Sequence, residues 1–213
     1  VGTGKDSDIQ AKKRLVLGCG ALVYDLVRIT KQNPGLSERV ELQCLPASWH
    51  NKPQLIAPAV DKYLAENGSK YKDIFIAYAD CGTGGSLDKV LEKYNARRIG
   101  GAHCYEFFAG SDVFYELHEK EIGTFYLTDY LVKNFQRLII EGLGLDKYPD
   151  LFETYFSNYK KLVYLAQTEN EQWQRDASKY AEDFGFEYEY RLVGTGSLDE
   201  VFKDIELTPL TSN

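Results

Sequence analysis

Residues 73–94 read DIFIAYADCGTGGSLDKVLEKY, and this stretch carries the argument for the fold. A run of apolar, aromatic and small residues (73–79) ends in a glycine-rich turn. The turn opens a helical pattern in which Ser86 is placed to cap LDKVLEKY. Strand, tight turn and helix in that order form the repeating half of a parallel sheet, whose neighbouring strands need a crossover between them. The pattern recurs outward from this stretch. Upstream, residues 14–18 (RLVLG) and 39–45 (RVELQCL) read as strands. The first is followed by a helix through ALVYDLVRIT. The second is followed by a helix from about Pro53 with Leu55, Ile56, Ala59, Val60 and Tyr63 on one face. Downstream, residues 97–101 (RRIGG) give a short fourth strand, 161–167 (KLVYLAQ) resume the sheet, 170–185 are helical and 186–194 (FEYEYRLVG) are the last strand. The expectation is an α/β fold, a mostly parallel open sheet with helices on both faces. A single domain, 1–213, fits the pattern, with room for two lobes and with a helical block of about 105–160 as an insertion or cover.

The totals narrow the function classes. A chain of 213 residues with 44% hydrophobic and 27% charged residues has enough apolar material for a large core. The net charge of −7 repels phosphate backbones and anionic lipid, so neither nucleic acid nor a membrane surface is the expected partner. No apolar run approaches the ~18 residues of a spanning helix. The polar start VGTGKDSDIQ lacks the apolar centre of a secretory signal, which leaves a soluble, cytoplasmic protein as the expectation. The tail TPLTSN reads as frayed.

Four cysteines stand far apart with no CxxC pair, and they read as reduced thiols. Three of them share a context. Cys19 follows RLVLG, Cys81 follows IFIAYAD and Cys104 follows RIGGAH, so each lies just past the carboxyl end of an expected strand. In an open parallel sheet those ends line up along one edge, where ligands bind. The inference requires all three strands to be parallel. Thiolates are soft donors suited to zinc, copper(I) or an iron–sulfur cluster, and three protein ligands leave a position open for chemistry. Free cysteine is also a small hydrophobe that buries readily at strand ends, and the spacing matches no standard zinc or ferredoxin pattern. Cys44 alternates with Val40 and Leu42, so it is expected to point into the core.

His50, in LPASWHNKP, falls on the same edge and is the candidate general base, metal ligand or substrate donor; a turn histidine bonded to backbone explains it equally. His103 adjoins Cys104, but neighbours on an extended chain point to opposite sides. His118 reads as an exposed helix residue. Glu106, at a helix start two residues after Cys104, is a candidate proton carrier or a residue that favours the helix dipole. Asp80 directly precedes Cys81, and Asp129 joins Thr128 in capping a helix. The turn CGTGGS offers the amides of Gly82, Gly84 and Gly85 as a grip for an anionic cofactor or carboxylate, and VGTGS (193–197) repeats that geometry; a tight turn alone also accounts for the glycines. VGTGKD at the start does not satisfy the phosphate-loop pattern.

The motifs LGCGAL, CLPASWHNKP, AYADCGTGG, GAHCYEFFAG, GTFYLTDYLVKNF, GLGLDKYPDL, YFSNYKKLVYLAQT and RLVGTGSL together resemble the domain of unknown function 1638 family, from about Arg14 to Leu198. That family occurs in bacteria and archaea, often encoded beside corrinoid-dependent methyltransferases. The resemblance matches its motif cysteines to Cys19, Cys81 and Cys104 and puts His50 in a motif. The resemblance implies a place in one-carbon metabolism, with methylated amines as the substrate class. Three functions follow as expectations. The first is a protein whose Cys19, Cys81 and Cys104 bind a metal ion or iron–sulfur cluster, with a small-molecule or corrinoid-related ligand at the free position and His50 and Glu106 in support. The second is a cofactor-free enzyme with Cys104 or Cys81 as nucleophile and His50 as base. The third is a non-catalytic adaptor or chaperone for a methyltransferase partner.

Overall fold

The computed structural model describes residues 13–196 together with Leu198 and Phe202. The start VGTGKD and the tail TPLTSN lie outside the described residues. The first half of the chain builds β1 (Arg14–Cys19), α1 (Val23–Gln32), α2 (Pro34–Arg39), β2 (Val40–Leu45), α3 (Ile56–Asn67), β3 (Asp73–Ala77), α4 (Ser86–Tyr94) and β4 (Arg97–Arg98). These strands form one sheet in the order β2-β1-β3-β4, every pair parallel. Strand alternation sends Val16 and Phe75 to one face, where they pack with Leu26 and Ile29 of α1 and Leu36 of α2. Leu15, Leu17, Ile74 and Ile76 go to the other, against Ile56, Val60 and Leu64 of α3 and Leu87 and Leu91 of α4. Helices cover both faces, as the alternation in the sequence requires.

After α5 (Cys104–Ala109) and α6 (Ser111–Lys120) comes β5 (Thr124–Thr128). This strand interrupts the helical block expected over about 105–160. TFYLT is rich in aromatic and β-branched residues, and four of its five are buried. It is followed by α7 (Asp129–Lys133), whose first turn is capped by the Thr128 hydroxyl, then a turn of π-helix over Gln136–Ile140, and α8 (Leu151–Phe156). β6 (Lys161–Ala166), α9 (Glu171–Phe184) and β7 (Glu187–Leu192) complete a second parallel sheet in the order β5-β6-β7. KLVYLA therefore does not extend the first sheet; it lies at the centre of the second. Tyr164 and Leu127 pack under α7 and α9, while Tyr126, Val163 and Leu165 meet Phe114 and Leu117 of α6. Near the end of the chain Leu198 and Phe202 are buried in the core of the first sheet, so the polypeptide returns to it after building the second.

Two smaller expectations also change. Cys44 is exposed, because β2 is an edge strand along which burial falls from Val40 onward. Ser86 is the first helical residue rather than the cap; Gly85, at a left-handed φ of 78°, precedes it, and the Ser86 hydroxyl donates to the Thr83 carbonyl at 2.8 Å.

The halves touch on several side chains. Asn51 Nδ2 donates to the Leu138 carbonyl of the π-turn at 2.7 Å, and the rings of Tyr24 and Tyr130 stand 6.0 Å apart with Lys133 Nζ over Tyr24. Here Asp25 of α1 is buried. Loss of water pushes its pKa up to about 6 against the opposing pull of Arg28, and the Asp129 carboxylate adds to the rise. A carboxyl whose folded pKa is raised keeps its proton while the unfolded chain releases it. Its contribution to stability is therefore present at low pH and lost as pH rises through about 6. A rise of this size corresponds to a loss on the order of 2–3 kcal/mol by neutral pH. Asp25→Asn removes this titration, so urea unfolding at pH 5 and pH 8 is expected to show the variant gaining on the native chain at the higher pH. Equal pH slopes in the two proteins would contradict it.

Candidate functional site

A cavity of about 520 Å³ opens where the carboxyl edge of the first sheet faces the second. Cys19, Cys81 and Cys104 all line it, with His50 and His103. The condition set by the sequence holds: β1, β3 and β4 run parallel, and their following segments bring residues 62 and 23 positions apart to one place.

Each cysteine is held by local structure. Cys19 ends β1, and its sulfur accepts the Ala21 amide at 3.4 Å. Burial pushes its pKa up to about 11, with a smaller rise from Cys81. The neighbouring Tyr78 hydroxyl interacts with the same sulfur and is itself pushed well up by burial. Cys81 sits in the turn after β3 at a φ of 48°, a left-handed conformation that a residue with a Cβ seldom adopts. The turn is clamped by Asp80, whose carboxylate accepts from the Thr83 hydroxyl (2.9 Å), the Gly85 amide (2.9 Å) and the Gly84 amide (3.1 Å). The Asp80 and Cys81 amides donate to the carbonyls of Gly101 (3.2 Å) and Ala102 (2.8 Å), which lays this turn beside the segment leading to Cys104. Cys104 is the first residue of α5, and its thiol donates to the Cys81 sulfur. That donation, with backbone bonds from Cys104 and Ala79, lowers the Cys81 pKa against burial, while the Cys104 pKa is raised well above the ordinary thiol. The pair is therefore polarised: of the two thiols, Cys81 gives up its proton more readily and Cys104 holds its own.

The segment carrying Cys104 is braced from below. Arg98 forms a two-bond ion pair with Asp88 of α4, and its Nη1 donates to the Ile99 carbonyl at 2.7 Å. Glu106 is buried, and its carboxylate accepts from the Ala102 amide (2.9 Å) and the Ser111 hydroxyl (3.0 Å). It does not line the cavity, so it serves to hold the loop rather than to meet a ligand. Gly101, at a φ of 87°, leaves room for that carboxylate, since a Cβ there would come within 2.6 Å of Oε2.

His50 does line the cavity. Its Nε2 is 3.1 Å from the Tyr105 hydroxyl, and burial lowers its pKa, so the neutral ring is favoured at neutral pH. Among the described residues no hydrogen bond joins His50 to a cysteine. Gly82, Gly84 and Gly85 lie outside the cavity, and the amides of Gly84 and Gly85 are already taken by Asp80. In the second glycine turn the Gly194 amide is likewise taken, by the Ala166 carbonyl. The three thiols share a cavity without forming a closed shell: among the described residues, no group of three or more His, Cys, Asp or Glu side chains could hold a metal ion as placed.

The wall opposite the sulfurs is the part that sequence reasoning missed. Tyr105, Phe114, Phe125, Tyr126 and Tyr159 form it, with Tyr115, His118 and Ile122 also on the lining and exposed. Tyr105 and Tyr126 stack with centroids 5.5 Å apart, and Phe114 packs on Tyr126 at 5.3 Å. His118 is exposed, as expected, and stacks on Phe114. Among the described residues no Lys, Arg, Asp or Glu lines the cavity.

Among the described residues no helix is long and apolar enough to cross a membrane. The model of the family described as "Protein of unknown function (DUF1638)" matches residues 44–202, which takes in His50, Cys81 and Cys104 and leaves Cys19 outside. No curated protein and no solved structure matches the chain.

Proposed function

From the premise that the chain belongs to the DUF1638 family, we propose that the cavity is a soft-ligand site, in which Cys81, Cys104 and Cys19 supply three sulfurs to a metal ion or iron–sulfur cluster. The observation that carries this reading is the convergence of three thiols, from three separate strand ends, on one cavity whose described lining holds no Lys, Arg, Asp or Glu. The donor set is uniform and soft, as such groups require. Two of the sulfurs are in contact; closing the set requires Cys19 to turn from the Ala21 amide. A cation there would reverse the cost of burying Cys19 and Cys104 as thiolates. When bound, the group would supply a Lewis-acid or electron-transfer centre. The chain's own residues position the sulfurs through Asp80 and Glu106, hold a neutral imidazole at His50, and present an aromatic face to the ligand. On the family resemblance, the setting is corrinoid-linked one-carbon metabolism of methylated amines, with a corrinoid-related small molecule or a methyltransferase as partner.

Anaerobic purification followed by metal and acid-labile sulfide analysis and a visible spectrum tests the reading. The expected result is a stoichiometric load that Cys81→Ser abolishes. Colourless, metal-free protein after reconstitution would overturn it.

A second reading, a cofactor-free enzyme with Cys81 as nucleophile, is supported by the lowered Cys81 pKa. In it His50 acts through Tyr105, its bonded partner, rather than as a direct base. An adaptor role for a methyltransferase system stands if binding of that partner survives replacement of all three cysteines.

A further inference from the structure

We propose that Cys81 and Cys104 are a dithiol–disulfide couple, so that the cavity alternates between a three-thiol state and an oxidised state in which only Cys19 remains free. The geometry that carries this is local. Two successive backbone bonds, Asp80 to Gly101 and Cys81 to Ala102, lay the turn after β3 alongside the segment that ends at Cys104. The second bond sets Cys81 beside Ala102, two residues before Cys104, and both cysteine side chains line the same cavity. The backbone pairing thus delivers both sulfurs to one side of the cavity from adjacent segments. The left-handed backbone at Cys81 is fixed by the Asp80 clamp, which keeps the side chain on that heading. Cys19 is placed differently: its sulfur is bonded to the Ala21 amide on another strand end. Cys44 is exposed on the edge strand β2 and is absent from the cavity lining.

The oxidant class that suits the site is a low-molecular-weight disulfide, small enough to enter the cavity. The deprotonated Cys81 sulfur attacks one sulfur of the disulfide; a mixed disulfide forms and one thiolate leaves. Cys104 gives its proton to that departing thiolate and attacks the Cys81 sulfur, forming the internal disulfide and expelling the second thiolate, which takes its proton from water, the Cys81 proton having gone to water at the start. The two cysteines lose two electrons and two protons in all, and the oxidant becomes two thiols. The oxidised state withdraws two of the three sulfurs invoked above, so the couple would govern soft-ligand binding, yet it needs no metal to form.

The experiment uses the full chain with Cys44→Ser, to silence the exposed thiol. The reduced protein is exposed under native conditions to oxidised glutathione, quenched by alkylation and mapped by peptide mass spectrometry. The expected result is loss of two hydrogens, a single Cys81–Cys104 cross-link, and alkylation of Cys19 alone among the three. Adding Cys19→Ser leaves the cross-link intact. Cys104→Ser arrests the reaction with glutathione on Cys81. A Cys19–Cys81 or Cys19–Cys104 cross-link would overturn the inference, as would three alkylatable thiols after exposure to the stronger oxidant diamide. Metal analysis of the reduced protein decides the soft-ligand reading separately, so either can fail without the other.

Discussion

Asp129→Ala is expected to destabilise the protein by about 3–4 kcal/mol, lowering the melting temperature by about 10 °C. Asp129 follows β5, and its carboxylate gathers the carboxyl edge of the second sheet. Oδ1 accepts from the Tyr164 hydroxyl (2.7 Å) and the Gln167 amide (2.9 Å), and Oδ2 from the Thr168 hydroxyl (2.7 Å). The Asp129 amide in turn donates to the Gln167 side-chain oxygen Oε1 at 2.8 Å. Tyr164 and Gln167 are buried, so alanine leaves a hydroxyl and an amide without water to replace the lost acceptor. Relief of the Asp25 carboxylate offsets only a small part. Asp129→Asn keeps one acceptor oxygen and is expected to cost about half as much, and Tyr164→Phe, which deletes one donor together with its need, about 1 kcal/mol. Urea midpoints at unchanged slope measure all three. A loss below about 1 kcal/mol for the alanine variant would mean that the edge is held by packing alone.

The second large effect falls on the site and spares the fold. Asp80→Ala removes three bonds from the turn that carries Cys81, and that turn alternates half-buried and exposed residues that water can reach, so the stability cost is about 1 kcal/mol. The consequence for Cys81 is greater. A residue with a Cβ stays at a φ of 48° only while its surroundings impose it. Once the clamp is gone, the turn relaxes and the Cys81 sulfur leaves the Cys104 thiol. By analogy with residues that orient ligands from one shell out, closure of the Cys81–Cys104 disulfide by oxidised glutathione is expected to slow about 10-fold to 100-fold. Asp80→Asn, which retains an acceptor for part of the turn, recovers some of that rate. Stopped-flow or quench kinetics beside a thermal melt separate the two effects, and an unchanged rate in a well-folded alanine variant would release Asp80 from the role.

The strand–turn–helix run at 73–94 made the first sheet and the placing of the three thiols legible, because period-two burial and glycine punctuation are local signals. The pairing of strands is not local. Nothing in KLVYLA says that it meets TFYLT rather than the first sheet, and TFYLT itself was obscured by the helical residues on either side. The aromatic wall was hidden for a related reason: Tyr105, Phe114, Tyr126 and Tyr159 recur at spacings that core packing also produces. Asp80 did leave a signal. An aspartate before a glycine-rich turn favours bonding its own following amides, which turns Gly84 and Gly85 away from an external anion. Cys44 obeyed its alternation, but a periodic pattern does not reveal that a strand lies at the edge of its sheet.

The cavity's two walls also divide the polypeptide. Every sulfur it contains comes from residues up to 104, and the aromatic wall from 105 onward, Tyr78 being the one tyrosine on the sulfur side. Reactivity and selectivity are thus written in consecutive stretches of the gene rather than interleaved. Substitutions on the aromatic wall, with Glu106, Ser111 and the His50-bonded Tyr105 left in place, reshape what is admitted without disturbing what reacts, so libraries aimed at a new guest can concentrate on Phe114, Phe125, Tyr126 and Tyr159.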